Sequence, residues 1–120
     1  MEIKECRSSN FILGAIKQKV IEMADKFRSY YKNELSYHCY IYSRHIIYVS
    51  ENIVHETTIF GKVVYKNIEH RDILTIRLND RNLEITIIDP IIYSIVKEEF
   101  TKFAEDYKDD IKSICFLKDF

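Results

Sequence analysis

The side chains of this chain with the most chemical reach are its tyrosines and histidines, and they crowd the stretch from Tyr30 to His70. Tyr37-His38-Cys39-Tyr40-Ile41-Tyr42 is followed, after Ser43-Arg44-His45, by Ile46-Ile47-Tyr48-Val49. Alternate residues of a strand share one face, so His38, Tyr40 and Tyr42 project together, with Tyr48 close by across the turn. Aromatic rings exposed on a sheet can stack on unpaired bases. Lys17, Lys26, Arg28, Lys32 and Arg44 are the cations available to meet phosphates. These eight residues (Tyr40, Tyr42, Tyr48, Lys17, Lys26, Arg28, Lys32 and Arg44) form the candidate binding set. The competing reading of the same rings is an interface core, where tyrosine is enriched.

Other chemistries fail on spacing. His55-Glu56 opens an HExxH pattern, but Ile59 stands where the second histidine belongs, and the segment reads as a strand. His38, His45, His55 and His70 form no close pair in sequence, so no metal site is assigned. His70-Arg71-Asp72 copies three letters of a kinase catalytic loop, yet Arg77 occupies the position of its asparagine. Gly14 and Gly61 are the two glycines, too few for a phosphate-cradling loop. Tyr93 on a helix beside a histidine-bearing sheet matches the plan of rolling-circle nucleases, but His38-Cys39-Tyr40 lacks the second histidine of their metal motif. No catalytic residue and no cofactor is assigned, and an enzyme, nuclease-like or otherwise, ranks third among the readings.

Cys6, Cys39 and Cys115 are odd in number and widely spaced. Three reduced thiols are expected, as in an intracellular protein, with a Cys6–Cys115 disulfide as the alternative. The N-terminus lacks the apolar stretch of a signal peptide, and no run approaches the length of a membrane span, so the expected location is cytoplasmic, with no membrane partner. Net charge is −1, which gives no global attraction to nucleic acid. Charge is nevertheless uneven: residues 1–50 carry eight Lys/Arg against five Asp/Glu, and residues 71–120 eight against eleven. The abundance of Ile, Lys, Tyr and Asn also suits an A/T-rich genome, cellular or viral.

The elements that must position these residues follow from periodicity. Ser8, Ser9 and Asn10 are good N-caps. Behind them Ile12, Ile16, Val20, Met23, Phe27, Tyr30 and Tyr31 recur at helical spacing, which predicts a helix of about six turns from Phe11 to near Glu34. Gly14 inside it marks a candidate close approach of another backbone. From Ser36 the period becomes two, predicting a hairpin over residues 37–49. Ser50-Glu51-Asn52 reads as a polar break. Thr57–Phe60 and Val63–Tyr65 flank Gly61 as one bulged strand or two short ones. Lys66 to Arg71 reads as a polar connection. Leu74, Ile76 and Leu78, the turn Asn79-Asp80-Arg81-Asn82, then Leu83, Ile85 and Ile87 form a further hairpin. Asp89-Pro90 starts a second helix carrying Ile92, Val96, Phe100, Phe103 and Tyr107, with a frayed end at Asp109-Asp110. Ile111 to Leu117 is favoured as a last strand.

The expected fold is α+β: one domain over residues 1–120, a two-layer sandwich with an N-terminal helix, about five antiparallel strands, a C-terminal helix and a last edge strand. Two helices cover one face of such a sheet, which leaves Tyr42, Tyr48, Tyr65 and Ile73 for the other. The expected function is a non-enzymatic interaction module, a homodimer or a subunit of a complex. The alternative is a nucleic-acid-binding protein using the tyrosine hairpin and the basic first helix.

Overall fold

The computed structural model describes Ile3, residues 5–41 and residues 44–120. It is an α+β fold. Helix α1 (Ser9–Phe27) precedes strands β1 (Leu35–Ile41), β2 (His45–Ile59), β3 (Lys62–Asn79) and β4 (Asn82–Ile87), then helix α2 (Tyr93–Asp106) and strand β5 (Ser113–Lys118). The strands lie in the order β1-β2-β3-β4-β5. The first four are antiparallel to their neighbours, and β5 pairs parallel to β4. A parallel pair needs a crossover, and α2 supplies it.

Ser8 caps α1, its Oγ accepting from the Phe11 amide at 3.3 Å. Ile12, Leu13, Ile16, Val20, Met23 and Phe27 make one buried stripe. On α2 the matching stripe is Val96, Phe100 and Phe103. Both press on Ile47, Val49, Leu74, Ile76, Leu83, Ile85 and Ile87 of the sheet. Burying one such side chain contributes roughly 1.5–3 kcal/mol. Phe100, with no exposed surface, sits at the centre of this layer, where truncation to Ala would cost about 3–5 kcal/mol.

The helix ends earlier than its periodicity predicts. A single tight turn, Arg28–Tyr30, follows Phe27, and Tyr31 is already extended. Tyr31 leaves the helix to donate its hydroxyl to Asp89 Oδ2 at 2.9 Å. Burial, then that hydrogen bond, holds Tyr31 well above the usual tyrosine range. Asp89 also caps the turn before α2, its Oδ1 accepting from the Ile91 amide at 3.1 Å. The far end of α2 differs too. The helix stops at Asp106, and Asp110 is buried instead of marking a frayed terminus. Burial raises the Asp110 carboxyl, but Arg7, donating from its side chain at 2.8 Å and its backbone at 3.2 Å, more than offsets this and leaves it lowered.

The uneven charge of the two halves resolves inside the molecule. Lys19 and Lys26 of α1 reach Glu99 of α2 at 2.6 and 2.7 Å, and Arg7 reaches Asp110. Basic groups of the first half thus meet acids of the second across the helix layer. Gly14 has no neighbour within 4 Å of where a Cβ would stand, so no backbone approaches it closely.

The largest departure lies in the middle of the chain. Ser50–Asn52 is no break and Lys66–Arg71 no connection: both lie inside the long strands β2 and β3. Their polar side chains pair across the ribbon. Ser50 Oγ donates to Asp72 Oδ1 at 2.6 Å, Arg71 Nη2 to Glu51 Oε2 at 2.8 Å, and His70 Nδ1 lies 2.7 Å from Asn52 Oδ1. Ile73, expected on the uncovered face, is fully buried. The register explains it, since Val49 pairs with Leu74 and Ser50 with Asp72, and the extra residue turns into the core.

Candidate interaction surface

Strand β1 stops pairing with β2 at Glu51, and β4 pairs with β3 from Leu74 onward. Beyond those points β2 and β3 continue alone, paired to each other from Asn52–His70 out to Ile59–Lys62. The ribbon stands out from the body as an arm, and the molecule measures 75 × 28 × 22 Å. An isolated two-stranded ribbon is marginal in water, and its outer edges offer unpaired backbone groups.

The arm closes in a two-residue turn. Phe60 and Gly61 both have positive φ, 51° and 78°, the type I′ geometry of tight hairpins. Gly61 suits that conformation, whereas a bulky Phe is an outlier in it. Phe60 is also 99% exposed. Val54, Ile59, Val63, Val64, Tyr65 and Ile68 are further exposed apolar residues along the arm, Tyr65 at 61%. A bulge at Thr57/Thr58 leaves Val64 as the extra residue on β3. The charges of the arm are matched within it: His55 Nε2 lies 2.9 Å from Glu69 Oε2, and Lys66 Nζ 4.0 Å from Glu56 Oε1.

At the root of the arm, the sheet face opposite the helices holds a groove of about 580 Å³ lined by His38, Tyr40, Ile46, Tyr48, Ser50, His70 and Asp72. Tyr40 and Tyr48 meet edge to face with ring centroids 5.6 Å apart, as do His38 and His70 at 6.1 Å. Ile46, Tyr48 and Ser50 alternate on β2, and the same alternation continues through Asn52 to Val54, Glu56 and Thr58. The open face of the body and one face of the arm therefore form a single surface.

Of the residues singled out from sequence, Tyr40 and Tyr48 come together in this groove. Arg44 is exposed at the far end of the same face, in a shallow depression with Arg77 and Glu84. The other cations lie elsewhere. Lys17 and Lys26 are on α1, across the sheet, and Lys26 is bound to Glu99. Arg28 pairs with Asp25 at 3.1 Å, and Lys32 lies beside the arm root with Glu34, Asn52 and Lys66. Tyr42 lies outside the described residues. Tyr65, expected on the uncovered face, is exposed on the arm.

The groove offers aromatic faces, two imidazoles and one apolar side chain to a docked chain. Among the described residues no histidine hydrogen-bonds Glu56, Asp72 or Tyr93, and no group of three His, Cys, Asp or Glu could hold a metal ion. Cys6, Cys39 and Cys115 are free thiols. No helix among the described residues is long and apolar enough to cross a membrane.

The arm residues Val54, Phe60, Val63, Val64 and Ile68 were missed in sequence. Their signal was Phe60-Gly61 set between two long β-prone runs, a hairpin turn with Phe in the place usually held by Asn. No protein-family model, curated protein or solved structure matches the chain.

Proposed function

We propose that this protein is an interaction module that associates with another protein chain through its β2–β3 arm. The observation that carries this reading is Phe60. Folding gains nothing from a fully exposed aromatic at a left-handed turn position, where Asn would fit the backbone and hydrate better. An aromatic anchor at the end of a projecting ribbon suits a partner that buries it. Behind it Val54, Val63 and Ile68 are exposed on one face of the arm, an apolar patch of the kind that marks an interaction site.

The nucleic-acid reading retains Tyr40, Tyr48 and Arg44 on one face. It is supported less, because Lys26 and Arg28 are engaged by acids away from that face.

Phe60→Asn separates a structural role from a docking role. Asn-Gly favours the type I′ turn, so the variant should fold at least as well as the parent. As immobilised bait, the parent chain should retain a protein partner, itself included, that Phe60→Asn and a variant with residues 55–67 replaced by a short turn both lose. Equal retention by all three contradicts the proposal. Retention of single-stranded nucleic acid that falls steeply with salt favours the alternative.

A further inference from the structure

We infer that the partner of the arm is a second copy of this chain, docked antiparallel and face to face, so that each arm covers the open groove of the other. This rests on the arm being a docking element and goes further by naming its occupant and its seat.

The first ground is dimensional. β2 runs from His45 to Ile59, so Asn52 stands at its centre, seven residues from either end. Asn52 pairs with His70, and that pair is where the ribbon leaves the body. The arm half and the body half of β2 are thus equal, each roughly 24 Å long at the usual strand rise. A two-fold axis running parallel to the Asn52–His70 pair and about 5 Å above it, midway between the two faces, lays the arm of one copy along the open body face of the other, and the reverse. Such a contact is isologous and closed. Residues equally far from Asn52 then lie at one level: Val54 over Ser50, Glu56 over Tyr48, and Thr58 over Ile46, with Val63 beside Thr58 standing over Arg77. Two sheet faces packed this way sit about 10 Å apart, the spacing of a β-sandwich.

The second ground is area. On the docking face Val54, Val63 and Ile68 are 42–55% exposed, Phe60 at the tip is 99% exposed and Tyr40 in the groove 45%, whereas Ile59 and Tyr65 point to the other face of the arm. An isologous contact takes both arm and groove from each copy, so these residues with the polar side chains between them give a surface on the order of the 800 Å² that each partner gives to a standard interface. The third ground is charge. Lys62 and Lys66 balance Glu56 and Glu69 on the arm, so two copies meet without net repulsion there. The groove that receives the arm sets one carboxylate, Asp72, held by Ser50 at 2.6 Å, among aromatic rings, two imidazoles and Ile46, and Arg77 and Glu84 follow at its far end, so it presents no field of one sign.

The test is light scattering on the full chain at micromolar concentration, with Ile46→Lys, Thr58→Glu and Phe60→Asn variants checked for folding by circular dichroism. The parent is expected at twice the 14.4 kDa of the single chain. Ile46→Lys and Thr58→Glu should each fall to the single-chain mass. Their equimolar mixture should recover the double mass, because each mixed pair carries one Lys–Glu contact and one unaltered contact. A parent at 14.4 kDa overturns the inference while leaving the bait experiment to judge the arm. A dimer that survives Ile46→Lys but not Phe60→Asn overturns the face-to-face seat alone. A dimer that survives all three variants overturns this seat and counts against the arm as well.

Discussion

Arg71 and Asp89 meet at 3.1 Å, and through them the root of the arm is tied to the cap of the second helix. Arg71 also holds Glu51 on the neighbouring strand, while Asp89 accepts from Tyr31. One guanidinium thus joins β2, β3 and the entry to α2 where the ribbon leaves the body. Its hydrogen bond to Glu51, then both nearby acids, raises the guanidinium further above its already high ordinary value. The arm is anchored rather than merely appended.

Replacing Arg71 by Met should leave Glu51 and Asp89, both largely buried, short of a cation. An expected loss of about 1–3 kcal/mol follows from the unsatisfied acceptors. Urea unfolding measures the loss. Hydrogen exchange should show faster opening of residues 53–59 and 62–70 than of β4. A variant as stable as the parent, with equal exchange in the arm, contradicts the anchoring role.

Glu99 makes the helix layer acid-sensitive. Hydrogen bonds from Lys19, then Lys26, lower its carboxyl to about 2 from an ordinary value near 4.5. A group depressed in the folded state stabilises above its unfolded value and loses that effect as pH falls toward the folded one. The contribution is therefore full above pH 4.5 and fades between there and about 2. Glu99→Gln should lower the Tm by a few degrees at pH 7, and the gap should close in that acid window. A gap independent of pH would rule out the ion pairs as its source.

Gly14 lies exposed in α1 with open space around it. Gly14→Ala should raise stability by about 0.4–1 kcal/mol through helix propensity and a less flexible unfolded chain. Gly61→Ala should do the opposite, since φ is +78° there. Thermal melts of the pair check both signs. Destabilisation at Gly14 would reveal a close contact the fold does not contain.

Legibility in the sequence tracked one-sidedness. Helix α1 and the β3–β4 hairpin were readable because each buries one face, so apolar and polar residues alternate at the right period. Asp89-Pro90 was readable because its capping chemistry is local. The arm was not. Its strands keep no apolar–polar alternation, and Ser50–Asn52 and Lys66–Arg71 read as loops although their polar groups pair across the ribbon. The tyrosine hairpin was found, but its companion surface, Val54 to Ile68, was hidden in that same stretch. The basic set was legible as composition and misleading as geometry, because Lys26 is spent on Glu99, on the layer across the sheet from Tyr40 and Tyr48.

The most direct test of the central claim is the solution mass of the Phe60→Asn chain beside the parent, both folded by circular dichroism. The parent should have twice 14.4 kDa and the variant 14.4 kDa. A variant that keeps twice 14.4 kDa would contradict docking through Phe60, and a parent at 14.4 kDa would contradict self-association.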